Sequence, residues 1–413
     1  MEPLFTNDAV VLGILLFVLA IIFQTTSSSH PWFKKFYKYV PALLLCYFIP
    51  ALLNSFNIIS GEDSQLYSIA SRYLLPSSLV LLCVSIDMKG IIQLGPKALI
   101  MFLAGTLGII LGGPVAILLT SIVSPETVGG QGPDAVWRGM ATIAGSWIGG
   151  GANQTAMKEV FQTSDSLFSI MIAVDVFIAN LWMAVLLFGA GISEKLDKWL
   201  KADNSAIVQL QDKIENYRTS INKIPALTDT ITILALGFGA TAVAHIGADK
   251  ITPWMQLNAP HLETFSFTSS FFWIVVIATT LGLALSFTPA KRMEGAGASR
   301  IGTLLLYVLV ATIGMKMDIL AIGSNPGLFL VGIVWMIVHV IILLTVAKLI
   351  KAPFFFVAVG SQANVGGAAS APVVASAFNP SLAPVGVLLA VLGYALGTYG
   401  GWLCAQLMRI VAP

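Results

Sequence analysis

"GSWIGGGANQTA", residues 145–156, decides the fold of this chain, because it interrupts an otherwise apolar stretch with residues that make poor membrane-spanning helices. Gly149, Gly150 and Gly151 each weaken a helix by about 1 kcal/mol relative to alanine, and the amides of Asn153 and Gln154 need hydrogen-bond partners. In hydrocarbon every backbone N–H and C=O must be satisfied internally, so irregular backbone survives there only where protein buries it or it lines a watery cavity.

That the surroundings are hydrocarbon follows from composition. Of 413 residues, 57% are hydrophobic and 10% charged, and the mean hydropathy is +0.87. Soluble chains carry about 25% charged residues. The net charge of +2 is too small to point to a nucleic-acid partner. Cys46, Cys83 and Cys404 sit in apolar runs without CxxC or Cys/His spacing, as buried small hydrophobes do. Met1-Glu2-Pro3 lacks the basic region of a cleaved signal, so the first apolar run is expected to be retained.

Runs of membrane-spanning length fall near 8–24, 39–58, 66–86, 98–121 and 165–190, and again near 228–247, 270–288, 300–315, 326–347 and 382–408. Two further segments, 138–161 and 352–376, are apolar but broken by Gly, Asn, Ser and Pro. The long polar stretch 192–224, with "IVQLQDKIENYRTSINK", reads as a surface helix in a linker. The chain also repeats itself. Adding 215 carries Gly145-Ser146 to Gly360-Ser361, Gly151 to Gly366, Thr155-Ala156 to Ser370-Ala371 and Ser166-Leu167 to Ser381-Leu382. "VSIDMKGII" (84–92) likewise resembles "ATIGMKMDI" (311–319).

Basic residues cluster in "HPWFKKFYKY" (30–39), at Lys89 and Lys97, through 192–224, in "AKRMEGAGASR" (290–300) and at Lys348 and Lys351, which places these regions in the cytoplasm. "NIISGEDSQ" (57–65) and "SPETVGGQGPDAVW" (124–137) carry acids and belong outside. The linker stays inside only if 138–161 dips in and returns on the same side. Each half then has five spans and one hairpin, so the second copy lies upside down. The predicted fold is an all-α polytopic membrane protein: a first repeat over 1–191, a cytoplasmic linker over 192–224, and an inverted repeat over 225–413.

Inverted copies with broken Gly-rich elements are the pattern of secondary transporters, in which solute and ions bind at half-helix ends and unwound backbone near the midplane. Candidate substrate-binding residues are therefore Ser146, Gly150, Gly151, Asn153, Gln154 and Thr155 in the first block and Ser361, Gln362, Asn364, Gly366, Gly367 and Ser370 in the second. Asp175 is the only ionisable residue in "LFSIMIAVDVFIANLWMAVLLFG" (167–189), and a carboxylate at that depth costs about 2.5–3.5 kcal/mol, so it should meet a cavity, an ion or a partner. Asp175 with Asn153, Thr155 and Asn364 could hold sodium, or Asp175 alone a proton. Asn153 and Asn364 are expected to meet at one site between the tips.

At these residues the sequence resembles the domain of unknown function 819 family of bacterial membrane proteins, over nearly the whole chain. More distantly, the paired Gly-rich segments are similar to the hairpins of sodium/glutamate symporters and 2-hydroxycarboxylate transporters. That resemblance implies inverted repeats, a homodimeric scaffold and a mobile domain moving by an elevator mechanism in the cytoplasmic membrane. The tips read Gly149-Gly150-Gly151-Ala152-Asn153 and Val365-Gly366-Gly367-Ala368-Ala369, so neither is a strict GGxG and the solute does not carry over. An organic anion, an amino acid or a neutral polar solute would all fit.

Other intramembrane polar groups leave alternatives open. His339 could shuttle protons or be satisfied by a neighbouring helix, and Arg72 could bind a carboxylate or snorkel to the interface. Asp87, Lys89, Lys316 and Asp318 read as interfacial anchors. An intramembrane enzyme built on Ser146 is the rival reading, without a GxSxG elbow to support it; a channel or scaffold is another. No cofactor is expected beyond a coupling ion, because no strand precedes the glycine run and no Lys-Ser/Thr follows it.

Overall fold

The structure, a computed structural model, describes residues 3–37, 40, 42–61, 64–203, 225–317, 323, 325–379 and 382–413. The expected linker helix beyond residue 203, Asp318 and Ser381 lie outside the described residues. Those residues are helical apart from loops and one isolated bridge between Phe5 and Ile59.

Among the described residues, seven helices are long and apolar enough to cross a bilayer: α1 Asp8–Thr26, α3 Leu66–Val84, α4 Pro96–Val123, α6 Asp165–Gly191, α8 Leu227–Asn258, α11 Gly327–Leu349 and α14 Ala383–Val411. The remaining expected spans are shorter: α2 Ala42–Ser55 with 14 residues, and α9 Ser270–Ser286 and α10 Ala298–Gly314 with 17 each. At about 1.5 Å per residue, 17 residues reach roughly 25 Å, the lower limit for a span. The chain turns through 93° from α9 into the short helix Pro289–Ala296. A short α7, Ser193–Leu200, is all of the predicted linker helix that is described.

Both Gly-rich segments fold back on themselves. α5, Val136–Val160, breaks at Gly150, whose φ of 75° lies in the left-handed region that glycine tolerates. Its ends then meet: Arg138 donates to the Phe161 carbonyl, Thr163 Oγ1 donates to the Arg138 carbonyl at 3.1 Å, and the rings of Trp137 and Phe161 stand 5.6 Å apart. In a continuous helix residues 138 and 161 would be about 35 Å apart. The second segment comprises α12 Phe354–Val365 and α13 Gly367–Phe378, with Phe354 and Phe378 6.2 Å apart at its open end.

The two open ends lie at opposite ends of α6. At its start, Lys158 of the first hairpin pairs with Asp165 at 2.6 Å, and Gly139 packs on Leu167 and Met171. At its finish, Gly189 packs on the Phe354 ring, and just beyond it Asp197 accepts from the Phe354 N–H at 2.7 Å. α6 has 27 residues, about 40 Å of helix, so the hairpins enter the core from opposite sides.

The helices sort into two bundles. α1, α2, α3, α8, α9 and α10 pack chiefly on one another, through close approaches such as Gly282 against Val80 and Gly314 against the Tyr47 carbonyl. α4, α6, α11, α14 and the two hairpins form the other. Two small apolar clusters, one around Val80, Ala244 and Ala278 and one around Leu81, Ile233 and Ala298, belong to the first bundle. Between bundles the contacts include polar ones: Thr279 and Thr398 share a hydrogen bond at 3.1 Å, as do Thr280 and Tyr399 at 2.7 Å.

Candidate functional site

Small residues hold the first hairpin both to its own returning arm and to α14. A Cβ at Gly145 would fall 2.6 Å from the Asn153 carbonyl of the returning arm, and one at Gly149 would fall 2.6 Å from the Gly393 carbonyl of α14. Such close backbone approach is how membrane helices gain packing where no hydrophobic drive separates helix from lipid.

With the arms folded together, Ser146, Trp147 and Gln154 converge on Asp175 of α6. Ser146 Oγ donates to Asp175 Oδ2 at 2.6 Å, Gln154 Nε2 to the same oxygen at 2.9 Å, and Trp147 Nε1 to Oδ1 at 2.7 Å. Asp175 is therefore the partner-bound carboxylate that its depth demands, and it ties the outgoing arm to the returning one. Two turns along the same face of α6, Trp182 does the corresponding work for the second hairpin. Its Nε1 donates to Ser361 Oγ at 2.8 Å, and Ser361 is 2.8 Å from His339 Nε2. His339 Nδ1 lies 3.0 Å from the Gly105 carbonyl, an acceptor, so Nδ1 carries the proton and Ser361 donates to Nε2. Both ring nitrogens of His339 are satisfied, which resolves its two readings toward a neighbouring-helix partner. The pair has the reach of a nucleophile and base, but both residues are fully buried and the Trp182 N–H covers the serine oxygen.

The two asparagines share one bonding scheme on different helices. Asn153 Nδ2 donates to the carbonyls of Gly149 and Tyr394, and its Oδ1 accepts from Thr398 at 2.6 Å. Asn364 Nδ2 donates to the carbonyls of Gly360 and Phe102, and its Oδ1 accepts from Thr106 at 2.8 Å. Each amide thus bonds four residues back in its own helix and clamps a carbonyl and a hydroxyl one turn apart on a neighbour, α14 or α4.

These clamps correct two expectations. Asn153 and Asn364 do not meet: both donors of each amide are spent on separate helices. Nor do Asp175, Asn153, Thr155 and Asn364 form one cation shell. Neighbouring helix positions point about 100° apart, so Gln154 faces α6 while Asn153 faces α14, and Thr155 Oγ1 donates to its own Gly151 carbonyl at 3.0 Å. Asp175 is met by three donors, where a cation would require oxygen lone pairs. Asn180 bonds the Val176 carbonyl of its own helix, apart from Asp175.

At the second tip, Gln362 Nε2 donates to Ser370 Oγ at 2.8 Å across the break, while the buried Gln362 Oε1 has no partner among the described residues. Gly366 sits beneath this bridge, where a Cβ would fall 1.8 Å from Ser370 Oγ, and Gly367 takes a φ of 60°. Gly151, by contrast, has open space, with its nearest neighbour Leu306 at 3.8 Å from an added Cβ. The four tip glycines are therefore not equivalent. Sequence reasoning missed Trp147, Trp182, Thr106, Thr398 and the glycines of α14; the tryptophans read as apolar bulk, although an indole N–H buried in a membrane protein needs an acceptor.

Comparison with known proteins identifies the family and agrees that the chain is a membrane protein. A 25% identical relative over 350 residues, covering 82% of this chain and 83% of its own length, is the uncharacterized membrane protein YjcL of Bacillus subtilis (strain 168). The family model described as protein of unknown function (DUF819) matches residues 13–411. With its apolar helices and near full-length match, the chain is an integral membrane protein and belongs to the DUF819 family.

Proposed function

We propose that this protein is a secondary active transporter of a small polar solute, built from two inverted repeats. The observation that carries the proposal is the convergence of two hairpins, from opposite ends of α6, on one face of that helix, each through the serine that the 215-residue shift makes equivalent: Ser146 on Asp175 and Ser361 on Trp182. A single-sided fold or a plain helical scaffold has no use for that geometry. Hairpins that reach the midplane from both faces give a solute a barrier on each side, the requirement for alternating access.

The division into bundles supports the same reading. Residues 1–191 supply α1, α2 and α3 to the first bundle and α4, a hairpin and α6 to the second. Residues 225–413 supply α8, α9 and α10, then α11, a hairpin and α14, in the same order. The first bundle is the frame, where a second copy of the chain would dock, and the second is the carrier that slides against it. The seam carries isolated threonine and tyrosine hydroxyl contacts, Thr279 with Thr398 and Thr280 with Tyr399, which can be broken and remade as one bundle slides on the other. The unpartnered Gln362 Oε1 at the second tip is the acceptor offered to a solute N–H or O–H. The positive-inside bias of the loops supports a reading with the open end of the first hairpin outside and residues 192–203 inside, in the cytoplasmic membrane.

The test is uptake into proteoliposomes from pools of labelled metabolites, under imposed sodium or proton gradients, with Thr279→Cys/Thr398→Cys protein as the control on a background lacking Cys46, Cys83 and Cys404. Saturable, gradient-driven uptake that the disulfide stops and reduction restores is expected. Uptake indifferent to the crosslink would remove the moving-carrier reading.

A further inference from the structure

The open end of the first hairpin borders a polar cavity of about 920 Å³ that the transport reading does not use. Its walls come from both bundles. The frame contributes Arg72 of α3 and the 263–271 turn into α9, and the carrier contributes Arg138 and Lys158 of the hairpin and Arg409 of α14. Hydroxyls and amides, including Thr163, Thr268, Gln162 and Gln256, fill much of the remaining surface.

The three arginines are held in a way that leaves their charge unanswered. Each guanidinium lies over an aromatic ring, Arg72 over Phe271 at 4.7 Å, Arg138 over Trp137 at 5.1 Å and Arg409 over Phe265 at 5.5 Å. Stacking fixes the plane of the group and leaves its N–H edges free. Arg138 and Arg409 each spend a donor on a backbone carbonyl, of Phe161 and Thr264, and Arg138 Nε is buried without a partner among the described residues. Among the described residues none of the three has a carboxylate within ion-pair distance, although Glu159 and Glu263 line the same cavity. Glu159 instead accepts from Tyr67, and Lys158 is taken by Asp165. Arg138 and Arg409 are also close enough for their like charges to repel. Fixed, stacked guanidinium groups around a hydrophilic cavity, two of them repelling each other, form a site for an oxyanion, which can take charge-assisted N–H bonds from the donors they leave free.

From this geometry we infer that the cavity binds a small, soluble organic anion with two or more carboxylates, held jointly by Arg72, Arg138 and Arg409 across the seam between the bundles. The volume falls in the range of small-molecule sites and exceeds what one carboxylate needs, and the hydroxyl-rich wall suits a hydrated polycarboxylate better than an acyl chain. The site is independent of the transport reading, since it is a binding site whether or not the anion is then moved.

The experiment is equilibrium binding to the purified full chain in nanodiscs, with succinate, citrate and inorganic phosphate as probes and membranes of zwitterionic or anionic lipid. Citrate should bind saturably in both lipids and weaken steeply with salt. Arg138→Gln and Arg409→Gln should each raise its Kd at least tenfold, and Arg300→Gln, an exposed arginine outside the cavity, should leave it unchanged. Folding of each variant is checked by its helical circular dichroism and its elution as a single species; should Arg138→Gln fail that check, Arg72→Gln, whose side chain makes no backbone hydrogen bond, carries the test. No binding of any probe, binding unaffected by the arginine variants, or occupancy only by the phosphate of an anionic lipid would overturn the inference. Binding without uptake would leave it standing and count against transport alone.

Discussion

Asp175→Asn tests whether one carboxylate holds the first hairpin closed. The substitution keeps the shape and replaces one acceptor oxygen by an NH₂ group. If the amide oxygen takes the place of Oδ2, it keeps Ser146 and Gln154, and the Trp147 N–H then faces two hydrogens from 2.7 Å. In the other orientation Trp147 is satisfied and the Gln154 N–H is stranded. Either way at least one buried donor loses its acceptor, at a cost of about 1–3 kcal/mol. The simple loss of an interhelical hydrogen bond in a membrane averages about 0.6 kcal/mol, so stranding is the larger effect. Asp175→Ala strands all three donors and should cost roughly two to three times as much. The assay is reversible unfolding in mixed micelles with increasing sodium dodecyl sulfate. In a double-mutant cycle, Ser146→Ala should cost less in the Asp175→Asn background than alone, because the two residues share a bond. Wild-type stability in Asp175→Asn, or strict additivity with Ser146→Ala, would refute the account of the hairpin latch.

The tip glycines should separate by their surroundings. Gly366→Val should abolish uptake, because its Cβ collides with the Gln362–Ser370 bridge, whereas Gly151→Ala should retain most of it; equal effects in proteoliposomes would contradict this. Asn153→Ala should destabilise by about 1–3 kcal/mol by removing the amide that pairs with the buried Thr398 hydroxyl and the Tyr394 carbonyl, and be additive with Asn364→Ala, since the clamps lie on different helices; marked coupling in unfolding experiments would reinstate a shared site. A single cysteine at Gly132 should label from outside the cell and one at Lys195 only after permeabilisation, and labelling of both from one side would refute opposite entry.

The helices were legible in the sequence because hydrocarbon demands continuous apolar runs of a minimum length, and the breaks were legible because glycines and amides violate that demand. The start of α6 at Asp165 and the break at Gly150 are direct consequences of residue type. Asp175 was legible as a group needing a partner, but not which partner, because folding the hairpin places Trp147 and Gln154 beside it from either side of a turn. The asparagines were misread for the same reason. An amide's two donors and one acceptor satisfy a ligand or two helix backbones equally well, and only packing against α4 and α14 decides. The arginine-lined cavity needed the tertiary fold outright, since its cations are separated by more than three hundred residues between Arg72 and Arg409.

The central claim, that one bundle moves against the other to carry a solute, is tested most directly by counterflow. Proteoliposomes loaded with unlabelled metabolite pools, carboxylates among them, are diluted into a trace of the same labelled pools. A carrier predicts a transient accumulation of label above its equilibrium level, abolished when Thr279→Cys/Thr398→Cys is oxidised across the seam and recovered on reduction. Label that only rises to equilibrium, or an overshoot that persists with the disulfide closed, would contradict the account.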